Sequence, residues 1–299
     1  PGHFTVSVSA VNDAPVVTTT TTARSYTENA TAVIANNDLT LGDVDNANLT
    51  GATVQITSGL TTGDTLAFTA ANGITGTYDS VTGKLTLTGN ATVAQYQTAL
   101  QSVTYVSSSD NPTANSTSRT LTWQVNDGAA ANNLSSSKTS TINVTPLNDR
   151  PTFTSASAIA RAGTEDTALS FVIADALAGE VSDVDPNASV KGIAINWNQS
   201  VSTEGTWEWS SNGTTWTALP SDISSNNTAN ALYLNVADRL RFTPAANWNG
   251  TVPSLVFRVA DDTMPTTTSG ARLNVNDFTS GTGAMSQSPS SFSVSIAAV

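Results

Sequence analysis

One arrangement recurs in this chain: an alternating run of apolar and small polar residues that leads straight into Asn-Asp-x-Pro. Phe4 to Val11 reads F-T-V-S-V-S-A-V and is followed by Asn12-Asp13-Ala14-Pro15. Ser140 to Leu147 reads S-T-I-N-V-T-P-L and is followed by Asn148-Asp149-Arg150-Pro151. Phe292 to Val299, F-S-V-S-I-A-A-V, is a third run of the same kind. Strict alternation has the period of a strand with one buried face, and recurrence at long spacing marks an array of like units. Asn and Asp supply oxygens, and the Pro just after them stiffens the backbone. The expectation is therefore a fragment of a tandem array. Residues 1–11 are the terminal strand of a preceding repeat or a linker, 12–147 form a first β unit, and 148–299 form a second.

The text between these landmarks is also β. Val54-Gln55-Ile56, Thr65 to Phe68 and Lys84 to Thr88 alternate between turn signals at Gly63-Asp64, Asn72-Gly73 and Thr82-Gly83. In the second half Arg239 to Phe242 and Leu255 to Phe257 read as strands joined by a turn at Asn247-Trp248-Asn249-Gly250. Val93, Tyr96, Leu100 and Val103 stand at helical spacing, which predicts a short helix over residues 91–103 with Asn90 as N-cap. Thr18 to Thr22 is either an edge strand or an extended linker. Turns every several residues suit a sandwich.

At 299 residues the chain has room for two domains. It has no cysteine, which removes disulfides and thiolate metal sites from consideration. Net charge is −12, and 18 of the 23 acids are Asp. Asp gathered in loops points to turns, caps or hard-cation ligands, and the scarcity of Lys and Arg argues against nucleic acid as a partner. No apolar run is long enough to span a bilayer, so direct membrane insertion is not expected. No signal peptide is visible at Pro1-Gly2-His3-Phe4; an export signal, if there is one, lies outside the fragment.

The acids recur in one order. Thr27-Glu28-Asn29 matches Thr164-Glu165-Asp166, Asp43-Val44-Asp45 matches Asp183-Val184-Asp185, and Asp127 after Trp123 to Asn126 matches Asp261 after Phe257 to Ala260. With strands lettered A to G in an Ig-like sandwich, the linker Asn12-Asp13 or Asn148-Asp149 sits at the top. Asp43, Asp45, Asp183 and Asp185 fall in B–C loops, also at the top, as do Asp127 and Asp261 in F–G loops. Glu28 and Glu165 fall in A–B loops at the bottom. The bottom of the first unit and the top of the second are then expected to bring Glu28, Asp149, Asp183, Asp185 and Asp261 together. Five carboxylates so close repel one another without a cation. Ca2+, with 6–8 oxygens at flexible geometry, suits such a set better than Mg2+. With a single His, transition metals do not fit. Asp capping turns without metal is the plainer alternative for any one motif, and each Glu serves either the junction or its own domain.

Asn12-Asp13-Ala14-Pro15 and Asn148-Asp149-Arg150-Pro151, with Thr-Glu-Asn/Asp, Asp-Val-Asp and the late Asn126-Asp127-Gly128, resemble bacterial cadherin-like repeats of large surface adhesins, including those of the RTX type. The resemblance extends over both units and rests on the order of short motifs. It implies an all-β chain of two Ig-like/cadherin-like sandwiches, Ca2+ at domain ends, neighbouring repeats as partners, and a place at the bacterial cell surface. Two departures stand out: Asp261-Asp262 replaces Asp127-Gly128, and a Thr/Ser/Gly-rich stretch over residues 263–290, either an extra hairpin or a loop, precedes the last strand.

The function expected is a calcium-stapled extender or adhesion module without enzymatic activity. The alternative is a module binding surface glycans or matrix polysaccharide through Trp207, Trp209 and Trp216, with a hairpin turning at Asn212-Gly213; core packing is the favoured account of those rings. His3 lacks an activated Ser and an orienting acid around it. Glu204 and Glu208 share one hairpin with no cleft between them, so they read as surface charges, not a glycosidase pair.

Overall fold

The computed structural model describes residues 3–299, and the chain divides into two compact units, 1–147 and 148–299. In the first unit a six-stranded sheet runs, in spatial order, through Arg24–Thr27, Lys138–Thr145, Ser118–Asn126, Asn48–Ser58, Lys84–Thr92 and Thr75–Asp79. All its neighbours pair antiparallel except the first two, where Ile142 to Thr145 lie parallel to Arg24 to Thr27. Facing it are the three-stranded sheet of Val33–Ile34, Thr104–Ser107 and Asp64–Ala67, and the pair Val16–Thr18 with Thr40–Gly42. Period-two alternation explains the layering. Along Ser118–Asn126, Arg119, Leu121, Trp123 and Val125 are buried, and the residues between them face outward. The buried set closes one core around Trp123, Tyr26, Tyr96 and Tyr105.

The second unit repeats this plan. Its six strands are Ile159–Thr164, Ser290–Ala297, Gly250–Asp261, Val190–Asn198, Ala231–Asn235 and Arg272–Leu273, the first two again parallel. Opposite lie Leu169–Val172, Arg239–Pro244, Gly205–Ser210 and Thr217–Ala218, with Thr152–Phe153 paired to Val181–Ser182. Both units are thus two-layered β-sandwiches of Ig-like/cadherin-like type, the expected fold class.

Four local expectations need correction or completion. The helix is Val93–Gln101 and its N-cap is Thr92, not Asn90, because Ala91 and Thr92 still belong to the preceding strand. Thr92 and Gln95 form a reciprocal capping box. Phe4 to Val11, expected as the terminal strand of a preceding repeat or a linker, pairs with no strand within the described residues, and Phe4, Val6 and Val8 are 99%, 83% and 88% exposed. In the Thr run only Thr18 lies in a strand. Residues 263–290 are neither a simple hairpin nor a bare loop. Met264, Val275, Ala284 and Met285 fold back onto Ala194, Tyr233 and Ala260, covering the outer face of the six-stranded sheet with a second small core.

Candidate functional site

The two sheet pairs that follow the Asn-Asp-x-Pro linkers place the acids. In the first unit Val16 stands opposite Gly42 in an antiparallel pair, so the chain running back to Asp13 lies beside the chain running on to Asp45. The Asp13 N–H donates to Asp45 Oδ2 at 3.0 Å. In the second unit Thr152 stands opposite Ser182, the same offset, and the Asp149 N–H donates to Asp185 Oδ2 at 2.7 Å. Within each Asp-x-Asp the first carboxylate caps the turn: Asp43 Oδ1 accepts from the N–H groups of Asp45 and Asn46 at 3.2 and 3.0 Å, and Asp183 Oδ1 from Asp185 N–H at 3.1 Å.

The third acid arrives at the end of a long central strand. Asp127 is 8% exposed and Asp261 1%. Asn12 Nδ2 donates to Asp127 Oδ2 at 2.9 Å and to the carbonyls of Ala131 and Asn132 at 3.1 Å. Asn148 Nδ2 repeats the pattern on Asp261 Oδ2 at 3.1 Å and on the carbonyls of Thr282 and Gly283. The other oxygens of the two acids cap their own loops, Asp127 from Ala129 N–H and Asp261 from Thr263 N–H, both at 2.8 Å. One carboxylate oxygen in each cluster, Asp43 Oδ2 and Asp183 Oδ2, is buried with no hydrogen-bond partner.

The electrostatics follow from the crowding. Burial first, then the charges of Asp185, Asp261 and Asp262, hold the Asp183 carboxyl above its ordinary range. Burial and the charges of Asp261 and Asp262 do the same for Asp185. Yet among the described residues no three acidic, His or Cys side chains converge closely enough to form a ready metal-holding group. In each unit the acids are near neighbours held by backbone N–H groups and an Asn amide.

The two glutamates lie elsewhere in their own units. Glu28 is 2% exposed and accepts from Leu147 N–H at 2.8 Å, beside the end of the last strand. Glu165 accepts from Val299 N–H at 2.9 Å and from Asn249 Nδ2 at 3.2 Å. Within each unit, then, Glu28 and Glu165 do not join the cluster of their own linker Asn-Asp. Two members of the clusters were not among the sequence candidates. Asn46 Nδ2 donates to Asn12 Oδ1 and Asp127 Oδ2 at 2.5 and 3.2 Å, and Asp262 Oδ1 accepts from Ser189 N–H at 3.3 Å. Both directly follow a nominated Asp, which is the signal that finds them. Where the second unit has Asp262, the first has Gly128 at φ +86°, a conformation an L side chain resists.

The tryptophans divide by burial. Trp207 is 2% exposed and packs on Phe242 and Phe171, so it presents no face to a sugar; as a glycan-stacking residue it is ruled out by its place in the core. Trp209 is half-buried against the same core. Trp216 lies under the Arg241 guanidinium at 4.1 Å, with that face covered. Glu208 pairs with Arg241 at 2.7 Å, and Glu204 accepts from Val201 N–H. His3 is exposed. No helix is long and apolar enough to cross a membrane among the described residues.

No protein-family model matches the chain. A 106-residue stretch is 39% identical to Halomucin of Haloquadratum walsbyi, covering 33% of this chain and 1% of that protein. Among solved structures, the chain is similar to a protocadherin gammaB7 fragment (TM-score 0.38, 12% identity, 95% of this chain and 49% of that one). It is likewise similar to the extracellular cadherin domains 1–5 of protocadherin gamma B2 (TM-score 0.39, 13% identity, 96% of this chain and 41% of that one).

Proposed function

We propose that this chain is an extracellular, calcium-binding spacer of a long surface protein, in which Ca2+ orders the linker leading into each sandwich. The observation that carries the reading is the repeated cluster. In both units one strand register sets Asn-Asp beside Asp-x-Asp, and a third buried Asp joins from the strand Ser118–Asn126 or Gly250–Asp261. Each cluster keeps a buried carboxylate oxygen with no donor, Asp43 Oδ2 or Asp183 Oδ2. All the donors are hard oxygens, the set Ca2+ takes, and its tolerance of irregular geometry suits acids that are adjacent but not convergent. Asn12, Asp13, Asp43, Asp45 and Asp127 would hold the ion in the first unit, and Asn148, Asp149, Asp183, Asp185 and Asp261 in the second. Glu28 and Glu165 remain candidates only for an ion shared with whatever follows their own unit. The charge an ion brings would offset the mutual repulsion that raises Asp183 and Asp185.

The spacer role draws support from the similarity to Halomucin, a protein so long that the matched stretch spans 1% of it. A thin, Cys-free, Thr-rich sandwich repeated in tandem gives length without chemistry. No observation favours the glycan reading, since the only two rings left outside the core among the three nominated are packed from one side. Calorimetric titration of the chain with CaCl2 tests the proposal. Heat of binding, and a melting temperature that drops in chelator, are expected for the wild type and reduced in Asp43→Asn with Asp183→Asn. No heat and an unchanged melt would remove calcium from the account.

A further inference from the structure

The hairpin between Gly205–Ser210 and Thr217–Ala218 turns on Asn212-Gly213-Thr214, and this triplet has the form Asn-x-Ser/Thr of an N-glycan acceptor. The form is short and the chain carries eleven copies of it, so the triplet alone settles nothing. The fold sorts the copies. Transfer needs the Asn amide nitrogen and the hydroxyl two residues on to be open to solvent together, on backbone that can enter a transferase without leaving a ladder.

Asn48, Asn90, Asn143 and Asn198 belong to strands. Asn115, Asn133 and Asn249 each use an amide hydrogen inside the fold, donating to the Leu60 carbonyl, Asn126 Oδ1 and Glu165 Oε2 at 2.8, 3.3 and 3.2 Å. In the Asn226 copy the Thr228 hydroxyl accepts from Asn276 Nδ2 at 3.4 Å. Asn29, Asn187 and Asn212 remain, all exposed. The first two lie in loops beside Glu28 and Asp185.

Asn212 differs from both in how its side chain is held. Its Oδ1 accepts from Thr214 N–H, the Thr214 hydroxyl and Thr215 N–H at 2.9, 3.0 and 2.8 Å, and from the Ser210 hydroxyl at 3.1 Å. Two of these donors are backbone N–H groups, so the amide oxygen is the atom turned into the loop and the nitrogen the one turned out. Thr214 is exposed beside it. An N-linkage replaces one of the two hydrogens on that nitrogen and leaves the oxygen free to accept. A glycan on Asn212 therefore keeps every hydrogen bond of the turn.

We infer that Asn212 is an acceptor for an N-linked glycan, with an oligosaccharide carried on a polyprenyl diphosphate as donor. Asn212 Nδ2 bonds to C1 of the reducing-end sugar, the C1–O bond to the diphosphate breaks, the nitrogen releases one proton, and the polyprenyl diphosphate leaves. The inference rests on the extracellular placement proposed above and is independent of calcium.

The experiment incubates the folded full-length chain with a single-subunit oligosaccharyltransferase that reads Asn-x-Ser/Thr and with dolichyl diphosphate chitobiose, and maps the product by peptide mass spectrometry. A proteolytic digest of the same chain serves as the control without a fold. In the folded chain Asn212 should carry more glycan than all the other copies together, and in the digest this preference should disappear. Thr214→Ala should abolish the product at Asn212 and Thr214→Ser should keep it, while the glycosylated chain melts at the temperature of the unmodified one. A bare Asn212 in the folded chain would overturn the inference, whether or not the digest is modified. An equal share on Asn115 or Asn143, or glycan persisting in Thr214→Ala, would do the same. Either failure leaves the calcium titration untouched, and a chain that binds no Ca2+ leaves this result standing.

Discussion

The main-chain N–H of Asp149 donates to Asp185 Oδ2 at 2.7 Å, and Asp13 and Asp45 make the same bond in the other unit at 3.0 Å. This contact ties each linker to the turn that follows, before any ion is considered. It also uses up only one oxygen of the Asp-x-Asp pair. The rest of the negative charge is left to be offset, and the consequences are measurable.

The first concerns pH. Asp183 and Asp185 titrate above the ordinary carboxylate range, chiefly through burial and then through neighbouring acids. A raised acid pKa means the folded state holds protons that the unfolded state has already released. Their contribution therefore turns unfavourable as pH rises through the unfolded-state value and stays so above the folded-state value. In chelator the second unit should melt higher on moving from neutral pH down toward that window. Asp183→Asn should flatten this slope, and saturating Ca2+ should flatten it in the wild type. Melting curves at several pH values, with and without chelator, check all three.

A second prediction concerns Arg119 and Asp64, which pair at 2.6 Å with both side chains 0% exposed. Asp64 Oδ1 also accepts from the Tyr105 hydroxyl at 2.7 Å, and Arg119 Nη1 donates to the Ser116 carbonyl at 2.9 Å. Removing one partner of such a pair strands a buried charge, at a cost of about 3–5 kcal/mol. Asp64→Ala should lower the stability of the first unit by that order while leaving Ca2+ affinity in the second unit unchanged. Denaturant unfolding alongside calorimetry separates the two effects.

The contrast between these sites shows what the sequence made legible. The sandwich strands announced themselves because alternation over Ser118–Asn126 or Phe292–Val299 is the direct trace of one buried face. The order of acids announced the clusters because both units repeat it. Asp64 and Arg119 gave no such signal: one sits in a Gly-Asp turn and the other in a Thr-rich strand, and only the fold brings them together across 55 positions. Phe4 to Val11 shows how far that signal reaches. Its pattern is that of a strand, but a strand requires a neighbour, and alternation says nothing about whether one is present. The stretch 263–290 hid its small core because Met264, Val275 and Met285 are too widely spaced to show a period.

A third prediction tests the helix boundary. Thr92 Oγ1 accepts from Gln95 N–H at 3.2 Å, and Gln95 Oε1 accepts from Thr92 N–H at 2.9 Å. Thr92→Ala should cost about 1 kcal/mol. Asn90→Ala should cost less than half as much, since Asn90 caps nothing there. Paired chemical denaturation of the two variants distinguishes the caps, and an equal loss would place the boundary wrongly.

The last prediction separates the three nominated tryptophans. Trp207 fills the core of the second unit, so Trp207→Ala should destabilise that unit by about 3–5 kcal/mol through lost burial and the cavity left behind. Trp216 lies over Arg241 at the unit's surface, and a partly exposed cation–π contact contributes only about 0.5–1 kcal/mol. Trp216→Ala should therefore lower stability by about 1 kcal/mol and free Arg241 without disturbing its pairing to Glu208. The comparison matters for any binding assay on this chain. Loss of a ligand with Trp207→Ala would report an unfolded unit, whereas loss with Trp216→Ala at an unchanged melting temperature would report a surface site. Fluorescence gives an independent check, because Trp123 and Trp207 are both buried: the blue-shifted emission should weaken to the Trp123 contribution in Trp207→Ala and stay at full strength in Trp216→Ala.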